Sequence, residues 1–199
     1  MKKLFLDKSV SFITKYNKYS KKDIDKLRYG LEGLYLTITK TIIILILSLI
    51  LGIFKEVIIV LILFNIIRYT GFGFHAEKSY QCLITSTIFF ICIPLLFLKT
   101  EISFNIQIII SVICIISYLL FAPADTIKRP LPNKKKRIIR KTATILIGTL
   151  YLSLIIILHN NYLSALLLSS LVIEAIIISP ITYKIFKQPY NNYKKLKQA

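Results

Sequence analysis

Residues 57–82 read VIIVLILFNIIRYTGFGFHAEKSYQC, and whether the apolar run at their start crosses a membrane decides the fold. The run, residues 57–67, falls short of the roughly 20 apolar residues that a helix needs to cross a hydrocarbon core. Arg68 follows it at once. Around it lie five more apolar segments, residues 35–54, 80–98, 104–122, 142–158 and 162–180. Their unbroken Ile/Leu content and their length predict helices, since barrel strands would alternate apolar with polar residues. No internal repeat is evident. With 55% hydrophobic residues in a chain of 199, the sequence reads as an integral membrane protein.

Charge distribution decides how the short run is used. Nine basic residues lie in the first 30, eight lie in KRPLPNKKKRIIRK from Lys128 to Lys141, and five follow residue 183. The connectors KE (55–56), KTEIS (99–103) and HNN (159–161) carry little positive charge. By the positive-inside rule all three basic regions face the cytoplasm. Six crossings put them there, whereas leaving out residues 57–67 exports the eight-charge loop. A re-entrant hairpin over residues 41–67 keeps the same parity if protein shields its backbone. Either way, residues 68–80 lie at the inner-face boundary. The expected fold is all-α, a polytopic membrane protein of about six transmembrane or re-entrant helices with an N-terminal amphipathic interfacial helix. It forms one domain: residues 1–34 are a basic amphipathic segment, 35–180 the membrane helices, and 181–199 a basic cytoplasmic tail.

MKKLFL opens like a signal peptide, but Asp7 and Lys8 arrive long before the h-region of about 7–15 residues is complete, so this segment is expected to stay in the mature chain. Phe12, Tyr16, Tyr19, Ile24, Leu27, Leu31 and Leu34 then recur at helical spacing among lysines. That pattern suits a helix on the membrane surface, serving as a topogenic anchor or a substrate-docking element. Lys and Arg outnumber Asp and Glu by 27 to 9. Anionic lipid is the expected counterpart and nucleic acid is not, because no nucleic-acid-binding signature accompanies the charge. Cys82, Cys92 and Cys114 have no CxxC spacing, and an odd number gives no disulfide framework. Cys92 and Cys114, within IFFICIPLL and SVICIISY, are expected to pack as small hydrophobes.

His75 and Cys82 are the residue types that thiol proteolysis needs: a thiolate nucleophile, and an imidazole that takes a proton and later returns one to the leaving amine. On one continuous helix they would lie about 20° apart around the axis but about 10.5 Å apart along it, too far for short side chains to meet. A break is therefore expected, with His75 on an irregular segment after Gly71 and Gly73, and Cys82 in the first turns of the next helix. Glycine permits such backbone conformations. A helix N-terminus beside an imidazolium favours a thiolate. Metal binding by His75, Glu77 and Cys82 is the competing use, but the HExxH spacing and a second ligand cluster are lacking, so no metal or cofactor is expected. Glu77 and Lys78 read as solvated boundary charges or a local ion pair.

Four further residues keep open readings. Arg68 anchors the interface by snorkelling, or holds a carboxylate or the local fold. Asp125, in APAD, orients His75 as the third member of a triad, or serves a turn or charge pair. Gln81 donates to an oxyanion only by analogy with papain-like enzymes. Glu174, within LVIEAIIIS, must face a partner or be protonated. His159 is most simply a polar loop residue.

The stretch RYTGFGFHAEKSYQC, with Arg68, Gly73, His75 and Cys82, resembles the accessory gene regulator B (AgrB) family of Gram-positive membrane endopeptidases. FAPADTIKRPLPNKKKR, from Phe121, is similar to the family's second signature, an Ala-Pro turn followed by Lys-Pro and a basic run. The resemblance implies processing of an AgrD-like pheromone propeptide for quorum sensing. Cys82 and His75 would cleave off the C-terminal tail, hold the acyl group as a thioester, and pass it to a peptide side chain to close a thiolactone or lactone. The family often has a second glycine just before its histidine; here the order is Gly-Phe-His, so the pocket differs in shape. The resemblance also implies an acidic substrate tail, which Lys128, Arg129, Lys134, Lys135, Lys136 and Arg137 could bind, with Arg140 and Lys141 on the same membrane face. Topology and anionic lipid are the alternative uses of those charges. The partners this reading admits are the propeptide, anionic lipid and a second copy of the chain. The expected location is the cell membrane of a Gram-positive bacterium, with both termini and the site in the cytoplasm. A small transporter or peptide-export component, with Arg68 and Glu174 lining its pathway, is the alternative; it explains those charges and leaves the paired motifs without a reason.

A cysteine introduced at Asn133 should resist membrane-impermeant thiol reagents in intact cells and react once the membrane is opened. Labelling from outside would overturn the six-crossing arrangement.

Overall fold

The computed structural model describes residues 2–15, 19–74, 79–100, 102–126, 130–159 and 161–193. Two compact units are present, Met1–Leu47 and Ser48–Ala199. In the first, α1 (Lys2–Thr14) precedes α2 (Lys21–Ile50), whose last three residues belong to the second unit. An Arg28–Asp7 ion pair at 2.6 Å, a Lys2–Glu32 pair and the Phe5–Tyr35 ring contact join the two helices. Both ion pairs are partly exposed, and exposed pairs contribute at most about 1 kcal/mol each.

The surface helix expected before residue 34 is divided here. Ser20 Oγ accepts from the amide of Asp23, a helix-start contact, and α2 then runs without interruption to Ile50. Ile24, Leu27, Leu31 and Leu34 therefore share one helix with the first apolar segment. Leucine and lysine both favour helix, so no local signal ends it at the lipid boundary. Tyr16 lies outside the described residues.

The second unit contains α3 (Phe54–Gly71), α4 (Ser79–Thr87), a π-helical turn (Ile88–Cys92), α5 (Ile93–Lys99), α6 (Phe104–Phe121), α7 (Lys134–Leu158), α8 (Asn161–Ile178) and α9 (Pro180–Ile185). Among the described residues, five helical segments are long and apolar enough to cross a membrane: Lys21–Ile50, Tyr80–Lys99, Phe104–Phe121, Lys134–Leu158 and Asn161–Ile178. Among the described residues no strand forms beyond an isolated bridge. The chain is thus an all-α polytopic membrane protein. The short run at 57–67 belongs to α3, whose 18 residues match α6 and α8 in length.

Helix α8 is the axis of this unit. Twelve of its 18 residues are buried, as expected of a helix apolar all round. Ser164, Ala165, Ser169 and Ser170 keep its surface small, so neighbouring backbones approach closely without losing van der Waals contact. The Ser169 and Ser170 hydroxyls donate to the carbonyls of Ala165 and Leu166, four residues earlier, which satisfies them inside the bundle. Helix α3 lies parallel to α8: Tyr162 donates to Glu56 near one end, and the Phe74 amide donates to Ile177 O at the other. Val57, Val60, Phe64, Ile67 and Gly71 are its buried stripe. Helix α7 runs against α3, with Tyr151 donating to Leu63 O at 3.0 Å and Thr144 to Thr70 Oγ1 at 3.0 Å. Tyr118 of α6 is fully buried and donates to Leu171 O.

The π-helical turn has a local cause. Pro94 cannot donate a backbone hydrogen bond, and its ring would crowd the carbonyl four residues back. The chain takes one wider turn instead, in which the Ile93 amide reaches Ile88 O. Two expectations change in this unit. Cys114 is buried as expected, but Cys92 is exposed on the π turn. In lipid, an apolar run does not by itself distinguish a buried face from an outward one. The expected basic loop is largely helical: Lys134, Lys135, Lys136, Arg137, Arg140 and Lys141 belong to α7, started by Asn133, whose side chain accepts from the Lys136 amide. Lys128 and Arg129 lie outside the described residues.

Candidate active site

The C-terminal ends of α3, α6 and α8 and the first turns of α7 converge at one end of the second unit. Helix α3 stops at Gly71, and Phe72–Phe74 leave the helix as a short non-helical segment. Every backbone group of that segment is accounted for. The amides of Phe72, Gly73 and Phe74 donate to Arg68 O (3.1 Å), Ala124 O (2.7 Å) and Ile177 O (3.0 Å). Their three carbonyls accept from one guanidinium: Arg68 Nη1 donates to Phe72 O, and Nη2 to Gly73 O at 3.2 Å and Phe74 O at 2.7 Å. Arg68 thus holds the local fold, one of the roles its sequence allowed. A planar fork of donors suits several fixed acceptors at once, which a lysine ammonium does not reproduce.

The segment needs its glycine. Gly73 has φ +104°, and a Cβ there would lie 2.5 Å from Arg68 Nη1 and 2.8 Å from Ile177 Cγ2. Phe72 also has a positive φ, 61°, sparsely populated by non-glycine residues. Gly71 is equally tight, since a side chain on it would strike the Glu174 carboxylate. Glu174 is fully buried on α8 with its Oε2 3.9 Å from Arg68 Nη1. Neither of its oxygens accepts a hydrogen bond among the described residues, so Arg68 is its charge partner at ion-pair rather than hydrogen-bond distance. Arg68 and Glu174, placed on a pathway by the transporter reading, face each other in a packed interior.

The Ala122–Asp125 turn closes the other side. Its Ala122–Pro123 peptide is cis. Ala124 N donates to Gly71 O at 3.0 Å, so Phe72 and Ala124 pair as a single parallel bridge. Asp125 is buried, and its carboxylate accepts from the amides of Asn192 (2.9 Å), Tyr193 (2.7 Å) and Leu131 (3.4 Å). Tyr183 Oη donates to the carbonyls of Ala124 and Asp125, and Tyr190 Oη to Phe121 O. Burial raises both phenols, Tyr190 to about 12, so each stays a donor at neutral pH.

Cys82 is half-buried in the first turn of α4, four positions into a helix that begins at Ser79. Gln81, beside it, is also half-buried, and its carbonyl accepts from Thr85 Oγ1 at 2.7 Å. His75, Glu77 and Lys78 lie outside the described residues. The structure therefore has non-helical backbone at Phe72–Phe74 and a new helix carrying Cys82 from Ser79. Lys134, Lys135 and Lys136 are exposed on α7. The Arg137 guanidinium lies 3.1 Å over the Tyr193 ring, and Arg140 donates to Tyr69 O while lying 4.3 Å over the Phe72 ring. Gly71 was expected to open the irregular segment and Arg140 to lie on the same membrane face as Cys82, whereas the sequence carried no signal for Tyr183 or Asn192. Opposite charges near the same ends of two apolar segments, Arg68 and Glu174, were the one available hint of a pairing. His159 caps α7 in a left-handed conformation with its ring against Phe104.

The accessory gene regulator B family model matches residues 6–178. A putative AgrB-like protein of Clostridium acetobutylicum is 32% identical over 93% of this chain and 90% of its own length. An accessory gene regulator protein B of Staphylococcus aureus (strain bovine RF122 / ET3-1) is 29% identical over 89% and 94%, and a putative AgrB-like protein of Listeria innocua 31% over 85% and 83%. No solved structure matches the chain.

Replacing Gly73 by alanine imposes an L residue on a strained backbone, at a cost of about 1–3 kcal/mol, before the clash with Arg68 is counted. Its melting temperature in detergent should fall clearly below the parent's, whereas Gly30→Ala, with nothing within 4 Å, should hold or raise it. Equal melting temperatures for the two variants would contradict the close packing at Gly73.

Proposed function

The chain belongs to the accessory gene regulator B family, and on that footing we propose that this multi-pass membrane protein is a cysteine endopeptidase. Its substrate is an AgrD-like propeptide, processed on the cytoplasmic side. The observation that carries the reading is the interrupted backbone at Gly71–Phe74, anchored at every group, with Cys82 in the first turn of the helix that follows. Such a break removes the helical geometry that would keep His75 and Cys82 apart along one axis.

The Cys82 thiolate attacks the carbonyl carbon at the future C-terminal end of the ring. As the tetrahedral intermediate collapses, the C–N bond breaks and the His75 imidazolium gives its proton to the departing tail amine. The acyl group stays on Cys82 as a thioester. A thiol or hydroxyl of the peptide, deprotonated by the now neutral His75, attacks that carbonyl; the bond to Cys82 Sγ breaks and the ring closes. The site must exclude water until the internal nucleophile arrives. Arg68 acts on this chemistry through the backbone before His75, not by contact with the substrate. The exposed Lys134, Lys135 and Lys136 offer positive charge to an acidic tail. They lie in the first turn of α7, where the helix dipole already disfavours cations, so an anion beside them relieves an unfavourable field. Lys128 and Arg129 extend the same charge, while Arg137 is engaged with Tyr193.

Purified protein in liposomes, given a synthetic propeptide, should release the C-terminal tail without an energy source. Cys82→Ala and His75→Ala should each lower that rate by at least on the order of 1,000-fold, because nucleophile and base act as a unit. Cys92→Ala and Cys114→Ala should keep it. Normal cleavage by Cys82→Ala, or uptake of intact peptide without cleavage, would overturn the reading.

A further inference from the structure

The family match ends at Ile178, yet the chain beyond it is built into the site. After α9 the backbone reverses through two left-handed non-glycine residues, Lys187 (φ 53°) and Asn191 (φ 57°). Such conformations are unfavourable and persist where surrounding contacts impose them. Lys187 closes α9, its amide donating to Lys184 O and the Gln188 amide to Tyr183 O, whereas the contacts beside Asn191 converge on one side chain. Asp125 Oδ1 accepts the Asn192 amide and Oδ2 the Tyr193 amide, while Asn192 Nδ2 donates back to Asp125 O at 3.4 Å and to Pro189 O at 2.9 Å. Hydrogen bonds to an ionised carboxylate are roughly twice as strong as neutral ones. Asp125 and Asn192 are 2% and 5% exposed, so these bonds are shielded from water.

Phe74, the residue that precedes His75, is covered by the end of α9, against which the reversal packs. Phe186 stacks on the Phe74 ring at 4.4 Å, Tyr183 meets it edge-on at 6.0 Å, and Tyr190 packs edge-on against Tyr183 at 5.1 Å. Phe74 is 7% exposed as a result. Its carbonyl is held by Arg68 and its amide by Ile177 O, so the ring is the part of Phe74 that the C-terminal segment fixes.

Taking the cysteine-peptidase reading as the footing, we infer that Asp125 is a positioning residue that works through the C-terminal segment. By tying down residues 192–193, it holds Phe186 and Tyr183 on Phe74 and so fixes the last described residue before His75. Its carboxylate oxygens are engaged by backbone amides of residues 131, 192 and 193, a use different from direct orientation of an imidazole. The segment beyond residue 178 is then part of the working peptidase and not a trailing charge.

The test uses full-length protein carrying Cys92→Ala and Cys114→Ala, so that Cys82 is the sole thiol, and measures its alkylation by iodoacetamide against pH without substrate. In this parent, a thiolate-like component at neutral pH should vanish on His75→Ala. Asp125→Asn, and Tyr193→Pro, which deletes one amide donor close to the chain end, should each shrink that component on the order of tenfold or more. Each should also lower kcat for tail release on the order of 100-fold with little change in KM, as expected of a misplaced catalytic group. Tyr193→Phe keeps the amide and the ring and should match the parent. Parental profiles in both Asp125→Asn and Tyr193→Pro would overturn the positioning role. A loss in Asp125→Asn with a parental profile in Tyr193→Pro would also overturn it, in favour of direct contact with His75. A parent that already equals His75→Ala would instead sink the peptidase reading itself.

Discussion

One guanidinium carries the constraint on which the backbone between α3 and α4 depends. The carbonyls of Phe72, Gly73 and Phe74 turn toward Arg68, although nothing in an apolar bundle would otherwise satisfy three such groups leaving a helix. Unsatisfied backbone groups cost several kcal/mol each in a membrane interior, so irregular backbone survives only where protein supplies the partners. Arg68 supplies them from the last turn of the helix that the segment leaves. The Glu174 carboxyl on α8 lies 3.9 Å from Arg68 Nη1. Glycine and packing are therefore coupled: Gly73 leaves room for the guanidinium and Gly71 leaves room for the carboxyl group.

This arrangement explains how a membrane protein can hold an irregular segment at the end of its bundle without a sheet. Phe72 borrows one bridge from Ala124, and Phe74 borrows the carbonyl of Ile177. Three elements distant in sequence, the Ala122–Asp125 turn, the end of α8 and the C-terminal segment, are thereby committed to the few residues before His75. Among the described residues, Phe72–Phe74 are held by hydrogen bonds at every backbone group, and Cys82 lies in the first turn of the helix that begins at Ser79.

Much of this was legible in the chain. The apolar runs and their charge asymmetry give an all-α membrane bundle, and a helix break before Cys82 follows from geometry once His75 and Cys82 are paired. Arg68 and Gly73 stand out because a charge and a flexible residue interrupt otherwise uniform segments. Other features depend on contacts that no local pattern encodes. The partner of Arg68 lies on a helix more than a hundred residues away, and the hold of Asp125 on residues 192–193 joins a turn to a segment that reads only as a basic tail. The division of the N-terminal helices between Thr14 and Lys21 was hidden because apolar spacing continues across it. The outward position of Cys92 was hidden because lipid and protein interior select the same residue types.

In the proposed reaction Cys82 carries the acyl group between cleavage and ring closure. Intact-mass analysis after mixing the protein with a propeptide whose ring-closing nucleophile is replaced by alanine tests it most directly. A hydroxylamine-labile adduct on Cys82, equal in mass to the peptide without its tail and absent from Cys82→Ala and His75→Ala, is the predicted result. Tail release with no adduct, or an adduct on Cys92 or Cys114, would contradict it.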